Sequence, residues 1–232
     1  MKTHTFKGGI HPPEKKELSE SFPIEQLSPL PKTVTIPVTM GGAPNAPLVK
    51  PGEEVARGQV LSASEHPMSA PVHSSVAGVV KKIETRVLTG GAEGPCFIIE
   101  PNDSGKTDFM PPLDPFSCSK EEAIKRVRSA GIVGMGGAAF PTAVKLSPPP
   151  GKKIDSVIVN GAECEPYLTI DCRVMEEMPA KIVDGAVIAA QIVGAERVYI
   201  ATESNKLHLV PILEKAVQDA GRGDKVSVVV CK

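Results

Sequence analysis

The chain has 232 residues, with 26 lysines and arginines against 27 aspartates and glutamates, so its formal net charge is −1. This balanced charge, together with 3% aromatic residues and no tryptophan, excludes a polyanion-binding surface or a base-stacking platform as the main feature, so no nucleic-acid partner is expected. Hydrophobic residues make up 41% of the chain, which is enough for packed cores, and the length predicts one large domain or two modest ones.

The sequence contains no recognisable signal for export or membrane insertion. The first 20 residues lack the apolar core of a signal peptide, and no apolar run approaches the ~20 residues that cross a bilayer. We therefore expect a peripheral protein, in the cytoplasm or on the cytoplasmic face of a membrane complex. The five cysteines are widely spaced without a C-x-x-C pair, so no metal site and no cluster-binding motif is predicted.

Proline divides the chain into two parts. Twenty of the 23 prolines lie within the first 150 residues, where long helices are therefore not expected. Residues 1–31 are predicted to be an irregular lead segment. Residues 32–100 are predicted to be an all-β domain, because short β-branched runs alternate there with glycine and proline. The predicted strands lie within residues 33–38, 58–63, 75–83 and 95–100.

Two segments of this β domain, VKPGEEVARGQVL (residues 49–61) and APVHSSVAGVV (residues 70–80), resemble the biotinyl/lipoyl-type barrel-sandwich family. In that family a modified lysine lies on the hairpin between the two halves. The corresponding hairpin, SEHPMSA (residues 64–70), contains no lysine. We therefore interpret residues 32–100 as a structural barrel-sandwich hybrid domain without the carrier function.

Residues 101–118 are predicted to be a linker, and residues 119–232 an α/β domain. Ser119 and Glu122 have the spacing of a capping box, which begins a predicted helix over residues 121–130 that ends at Gly131. Strands and helices then alternate, which predicts a parallel, right-handed three-layer α/β arrangement. The strands are predicted over residues 154–160, 197–202 and 225–230, and the helices over residues 179–193 and 206–220.

The last predicted strand runs directly into Cys231 and Lys232. A parallel strand with no helix after it is an unusual end for a domain, so we expect an exposed sheet edge there. We also expect the sequence to be an N-terminal fragment, with the α/β domain incomplete at its C-terminus.

The segment GMGGAAFPTAVK (residues 134–145) is rich in glycine. It formally satisfies G-x-G-x-x-G/A, but a predicted helix precedes it where the dinucleotide-binding fingerprint requires a strand. Glycine still allows the backbone N–H groups to approach a phosphate or a flat ring, and Lys145 adds a positive charge. The alternative is a tight structural turn that holds Phe140 in a small core.

The segment NGAECEPY (residues 160–167) follows a predicted buried strand. Ligands of open α/β sheets bind beyond the carboxyl ends of the strands. At this position Asn160 can form a hydrogen bond with a flavin or ribose edge, and Glu163 and Glu165 can accept hydrogen bonds from sugar hydroxyls. The alternative is a solvated acidic loop. Cys164, between two carboxylates, is not expected to be a nucleophile, because its thiolate is disfavoured.

Together these two segments resemble the flavin- and NADH-binding subunit of respiratory complex I. The whole chain, including TFKGGIHPPE (residues 5–14), is similar to the C subunits of Rnf electron-transport complexes, which are ion-translocating ferredoxin:NAD+ oxidoreductases. The resemblance implies that FMN is held by Gly134, Gly136, Gly137 and Lys145, with Asn160 at the flavin edge. It also implies that Phe140 stacks near the NADH adenine and that Glu165 contacts NADH. Met135 and Ala162 depart from the complex I pattern, which has Arg and Asp there.

The resemblance implies an electron-transfer subunit that binds FMN and NAD(H) and works with other subunits of a membrane complex and, through the complex, with ferredoxin. Its 4Fe-4S clusters are expected only outside these residues. No catalytic acid or base is predicted, because the hydride chemistry belongs to the cofactors. A non-catalytic scaffold and a lipoyl-like carrier module are the alternatives. We expect these 232 residues alone to bind FMN weakly or not at all and to show no NADH oxidation.

Overall fold

The computed structural model describes residues 3–5, 8, 10, 12–26 and 29–232. The chain divides into two compact units, which we name by their content. The β-rich unit is Leu27–Pro148, and the α/β unit joins Met1–Gln26 to Pro149–Lys232. Each unit has its own hydrophobic core, and the two core clusters share no residue.

The strands are, in chain order, β1 Thr3–His4, β2 Val34–Pro37, β3 Ala46–Pro47, β4 Glu54–Val55, β5 Val60–Ala63, β6 Val72–His73, β7 Gly78–Val87, β8 Glu93–Pro101, β9 Ser156–Asn160, β10 Arg197–Glu203 and β11 Val226–Cys231. The helices are α1 Lys120–Ser129, α2 Thr142–Lys145, α3 Ile170–Glu177, α4 Pro179–Val193 and α5 Leu209–Asp219, with a short 3₁₀ helix at Lys16–Leu18.

The β-rich unit is built from antiparallel sheets. One sheet has the strand order β2-β8-β7-β4 and the other has the order β3-β5-β6. Their apolar side chains, among them the fully buried Leu61, Val80, Phe97 and Ile99, form one core. All four strands predicted in this region are confirmed, and β7 is longer than expected because it forms a hairpin with β8.

Helix α1 begins as the sequence predicts. The Ser119 side chain accepts a hydrogen bond from the Glu122 N–H, and the Glu122 carboxylate accepts one from the Ser119 N–H, so the capping box is complete. Gly131 follows the helix with φ = 65°. A Cβ atom there would collide with the Pro71 carbonyl oxygen, so only glycine fits this close approach.

The α/β unit contains a parallel sheet in the order β1-β11-β10-β9. Helices α3, α4 and α5 contribute to the same core as the strands, with Val183, Ile200 and Leu213 fully buried. Pro179 occupies the first turn of α4, and Gly194 ends that helix in the left-handed conformation, so the predicted helix from Pro179 to Val193 is confirmed.

The lead segment differs from the sequence prediction. Thr3 pairs with Val230 and His4 with Cys231, so the expectation that β11 ends as an open sheet edge is wrong. Irregular structure throughout residues 1–31 is wrong for the same reason, since this region supplies β1 and the 3₁₀ helix. A two-residue strand is too short to show the period-two pattern that predicts strands. Within TFKGGIHPPE, Phe6, Lys7, Gly9 and His11 lie outside the described residues.

The mixed class predicted from the sequence, a barrel-sandwich domain followed by an α/β domain, is confirmed. The compact units divide at residues 148 and 149, so residues 119–148 group with the β-rich unit. The domain limits proposed from the sequence, with a linker at 101–118, stay a prediction. Among the described residues, no helix combines the length and the apolar character needed to cross a bilayer.

Candidate functional site

The glycine-rich segment forms a closed loop between α1 and α2. The Gly134 N–H donates to the Phe140 carbonyl at 2.8 Å, and the Thr142 N–H donates to the Ile132 carbonyl at 3.0 Å. These two bonds fix the base of the loop. Gly137 and Ala139 have positive φ angles of 95° and 47°, so the tip turns back sharply.

The tip of this loop presents unused hydrogen-bond donors. In the described part of the chain, none of the backbone N–H groups from Met135 to Ala139 donates to a protein acceptor. Residues 135–138 are all exposed, and Met135 is 92% exposed. A run of free amides in a glycine-rich loop is a suitable surface for an anionic or carbonyl-bearing group.

Lys145 and Phe140 lie beside these donors. The Lys145 Nζ atom is 6.0 Å from the centre of the Phe140 ring, and both side chains are exposed. A Cβ atom at position 134 would lie 2.7 Å from Nζ, so the missing side chain of Gly134 leaves the space that the ammonium group occupies. The structure thus brings together an ammonium group, an aromatic ring and the free amides, all predicted as site elements.

The acidic turn follows β9 directly. Asn160 ends the strand, and its side-chain oxygen accepts a hydrogen bond from the Ala162 N–H at 3.0 Å, which starts the turn. The Gly161 N–H donates to the Ala201 carbonyl at 2.9 Å. A Cβ atom at Gly161 would lie 2.7 Å from that carbonyl oxygen, so the close approach of the two chain segments requires glycine here.

Lys16 holds the inner side of this turn. Its ammonium group donates to the backbone carbonyls of Glu163, Glu165 and Leu168 at 2.7, 3.2 and 2.7 Å. Lys16 is 6% exposed although it is charged. Since an ammonium group has three donors, these carbonyls use all of them, and one side chain fixes the path of residues 163–168.

Glu163 lies inside the protein rather than on the surface of the turn. It is 5% exposed, and its Oε1 atom accepts the Asp171 N–H at 2.9 Å. Its Oε2 atom pairs with Lys206 at 3.0 Å and with Lys16 at 3.8 Å. Burial on its own raises the pKa of this carboxyl, but the Asp171 N–H, Lys206 and Lys16 together hold the pKa below its ordinary value of 4.5.

These contacts give Glu163 a role in building the turn, while Glu165, two residues later, is exposed. The cofactor contact proposed for Glu163 from the sequence stays a prediction, and its two oxygens already have protein partners. Lys16 and Lys206 carry no motif, and each becomes recognisable only when the fold places it beside Glu163. The sequence alone therefore does not identify either lysine.

The glycine loop belongs to the β-rich unit and the acidic turn to the α/β unit. Each segment is held by contacts within its own unit. The prediction that both segments share one ligand site therefore stays a prediction.

Two family models match the chain. Residues 4–104 match the RnfC barrel sandwich hybrid domain, and residues 127–232 match the Nuo51 FMN-binding domain. A solved NAD+-reducing [NiFe]-hydrogenase chain aligns with 49% of this chain and 21% of its own, with 26% identity and a TM-score of 0.42, which is too low to support an argument.

Curated relatives match along nearly the whole chain. The C subunit of the proton-translocating ferredoxin:NAD(+) oxidoreductase complex of Clostridium ljungdahlii is 40% identical over 97% of this chain and 49% of its own length. The Na(+)-translocating counterpart of Acetobacterium woodii is 41% identical over 96% of this chain and 51% of its own length. The C subunit of an ion-translocating oxidoreductase complex of Rhodobacter capsulatus is 36% identical over 99% of this chain and 45% of its own length.

The chain thus spans about half the length of these relatives. The two family models match successive parts of the chain, and the curated relatives align with nearly all of it, so the two comparisons agree. The chain is therefore a homologue of Rnf complex C subunits, and a region that matches the RnfC barrel sandwich hybrid domain is followed in it by a region that matches the Nuo51 FMN-binding domain.

Proposed function

We propose that the chain is the FMN- and NAD(H)-binding part of a membrane-associated, ion-translocating oxidoreductase. In this role it exchanges electrons between NAD(H) and iron–sulfur centres, and through them with ferredoxin. The observation that carries the proposal is the glycine loop, whose free amides and adjacent Lys145 lie within the region that matches an FMN-binding domain.

The residues of the loop fit the chemistry of FMN. Gly136 and Gly137 have open space beside them for a ring or phosphate, and Gly134 leaves room for the ammonium group of Lys145, which supplies a positive charge for the flavin phosphate or a ring oxygen. Bound FMN would accept two electrons as a hydride and release them singly. The protein groups bind and orient the cofactor, so no side chain is assigned as a general acid or base.

The acidic turn supports the same proposal. We assign Asn160 to the flavin edge and the exposed Glu165 to NADH, with Phe140 near the adenine. Lys16 and Glu163 set the path of the turn from below, which orients Glu165 without touching a ligand. Glu163 is thus proposed to act mainly as a positioning residue for the NADH-binding turn.

The partners proposed are the other subunits of the complex, at the cytoplasmic face of the membrane. Iron–sulfur centres of the 4Fe-4S type would be supplied outside these 232 residues, whose five cysteines include no C-x-x-C pair. Two relatives are named for different ions, the proton and Na+, so similarity to them does not select the coupling ion.

The carrier alternative is disfavoured by the hairpin between β5 and β6. Residues 64–70 contain no lysine for a lipoyl or biotinyl group. In addition, the Arg128 guanidinium donates to the carbonyls of Ser64, Glu65 and His66 at 3.1–3.3 Å, which ties the hairpin to α1. An intact-mass measurement without an acyl adduct would exclude the carrier function directly.

The scaffold alternative is separated from the proposal by flavin binding. In the Acetobacterium woodii protein, we would replace the matched half with these 232 residues. The chimera would be purified beside the unaltered Acetobacterium woodii protein. The proposal expects the flavin absorption band and NADH oxidation with an artificial acceptor. A folded chimera that carries no flavin, while the unaltered protein does, would leave the scaffold function instead.

Lys145→Ala in the same chimera tests the assignment of the loop. A charge-assisted contact contributes roughly 1.5–3 kcal/mol, so FMN affinity should fall about 10- to 150-fold. Lys125→Ala, an exposed lysine on α1 of the same unit, is the matched control and should leave the affinity unchanged. Equal FMN affinity in the two variants would contradict the role of Lys145.

A further inference from the structure

Three side chains of metal-binding types meet in the α/β unit, apart from the residues assigned to FMN and NAD(H). Their ligand atoms, the Cys172 thiol, the His208 imidazole and a Glu176 carboxylate oxygen, all lie within 4.8 Å of one another. We propose that Cys172, Glu176 and His208 form a binding site for a zinc-type divalent metal ion, with water as the fourth ligand.

The geometry of the cluster suits a tetrahedral ion. With Zn–S and Zn–N bonds of about 2.3 and 2.05 Å, the sulfur and nitrogen of a tetrahedral site lie about 3.6 Å apart. The Cys172 Sγ and His208 Nε2 atoms are 3.8 Å apart, so the two ligands need to move little to hold an ion between them. Thiolate, imidazole and carboxylate together are the donor set that zinc prefers.

The backbone holds the three ligands on regular elements. Cys172 and Glu176 are one turn apart on α3, so their side chains share a helix face. His208 immediately precedes α5, in a turn that the Leu209 N–H and the Lys206 carbonyl close at 3.0 Å. The metal would therefore join α3 to the start of α5, with a fixed ligand spacing.

The charges around the cluster leave room for a cation. Three cations near it, Lys16, Lys206 and Arg173, pair with three carboxylates, Glu163, Glu203 and Glu177, so these six charges cancel. Two further carboxylates, Glu14 and Glu20, line the same pocket as the three ligands and add negative charge. Glu176 and the thiolate form of Cys172 then supply two negative charges, which a divalent ion balances. Arg173 contacts only Oε2 of Glu176, at 2.7 Å, which leaves Oε1 as the ligand atom.

The site is also open to solvent on one side. Cys172 is buried, Glu176 is half-buried and His208 is exposed. All three line a pocket of about 260 Å³, where a water molecule has space to complete the coordination. Three protein ligands with one open position is the arrangement of zinc sites that exchange their fourth ligand. Because neither FMN nor NAD(H) is involved, the proposal does not depend on the function proposed above.

Cobalt titration of the full chain tests the proposal. The purified, reduced and metal-free chain is titrated with Co2+, whose tetrahedral thiolate complexes absorb in the visible and near ultraviolet. We expect one Co2+ per chain with a thiolate-to-cobalt band, displacement by Zn2+, and a higher melting temperature with Zn2+. Cys172→Ser should remove the thiolate band, and His208→Ala should weaken Co2+ binding at least about tenfold.

The controls are Cys164→Ser, at the exposed cysteine, and Glu177→Gln, at the neighbouring carboxylate of α3, and both should bind Co2+ like the unaltered chain. His208 is exposed, so its variant tests the site even if Cys172→Ser fails to fold. No Co2+ binding would mean that Cys172 and His208 form only a thiol–imidazole contact. That result would overturn the proposal. Unchanged Co2+ binding in His208→Ala, or loss of the thiolate band in Cys164→Ser, would also overturn it.

Discussion

Lys16 connects two parts of the chain that lie 147 to 152 residues apart in the sequence, and it does so through backbone carbonyls. A lysine that is 6% exposed is rare unless its charge is paired, and Glu163 and three carbonyls satisfy it here. At the residue scale, the shape of the acidic turn therefore depends on a side chain of the lead segment. This dependence can be measured directly.

Lys16→Met should lower the free energy of unfolding by about 3 kcal/mol, because it leaves one buried and two partly buried carbonyls without their donor and removes one partner of a buried ion pair. Urea unfolding followed by circular dichroism measures the change. Lys15→Met alters the adjacent exposed lysine and should change stability by less than about 0.5 kcal/mol. Equal effects of the two substitutions would show that the contacts of Lys16 contribute nothing.

The buried carboxylate of Glu163 should make stability depend on pH. Its pKa in the folded chain lies below 4.5, so its stabilising contribution is complete above pH 4.5 and is lost as the pH falls through the folded pKa. Asp171 acts in the opposite sense, because burial and then the charge of Glu163 raise its pKa above 3.8. Lys16 and Lys206 face both groups as cations.

Urea midpoints between pH 7 and pH 3 measure this dependence. The unaltered chain should lose stability more steeply below pH 4.5 than Glu163→Gln, which is less stable at neutral pH but has no charge to lose at this position. Glu165→Gln changes an exposed carboxylate two residues away and should follow the unaltered chain. If Glu163→Gln follows the same slope as well, the ion pairs of Glu163 do not stabilise the fold.

At the scale of elements, the sequence predicts best those features that local chemistry determines. The capping box of Ser119, the proline at the start of α4 and the glycine after it are local signals, and the structure has α1 and α4 where these signals predict them. Strand β1 and the 3₁₀ helix were missed, because partners in the C-terminal half of the chain stabilise them. Thr3–His4 pairs with β11, and Lys16 with the acidic turn.

The candidate site could be predicted as far as its segments are concerned, but not the contacts within them. The glycine loop and the acidic turn were found from residue types and their order, since a run of glycines and a strand followed by carboxylates are visible in the sequence. Which carboxylate points outward could not be predicted. Glu163 and Glu165 are equivalent in the sequence, and only the positions of Lys16 and Lys206 decide that Glu163 is the buried one.

The connection between β9 and the acidic turn can be tested by comparing alanine substitutions at two glycines. Gly161→Ala should destabilise the chain by about 1–3 kcal/mol, because the new methyl group meets the Ala201 carbonyl and the Met175 sulfur at 2.7 Å. Gly185→Ala, inside α4, meets nothing within 4 Å and should stabilise the chain by about 0.5–1 kcal/mol. Thermal unfolding of both variants measures this difference, and shifts of the same sign would contradict it.

At the scale of the whole molecule, the chain consists of two units with separate cores, and the two predicted ligand-binding segments are distributed between them. The glycine loop depends on α1, α2 and the β-rich core. The acidic turn depends on β9, the lead segment and the start of α5. Each segment has its own supporting contacts, so each can keep its local shape without the other. Its affinity for a ligand then depends on how much of the ligand surface the segment covers.

The affinity of the isolated chain for FMN depends on how much of the cofactor these two segments cover. Ligand sites normally bury 70–90% of a molecule of this size. In the chain, residues 135–138 of the glycine loop are exposed, and so are Cys164 and Glu165 of the acidic turn, so neither segment encloses a ligand by itself. We therefore expect FMN to bind the 232 residues with a dissociation constant above about 1 μM, which is weaker than about −8.2 kcal/mol, and without NADH oxidation.

Flavin fluorescence during an FMN titration measures the affinity, and the chimera with the Acetobacterium woodii protein provides the comparison. Sub-micromolar binding by the isolated chain, or turnover with an artificial acceptor, would mean that these residues already enclose the flavin. An affinity that rises in the chimera and falls again with Lys145→Ala would place the glycine loop at the flavin while assigning the remaining surface to the other half of the chimera.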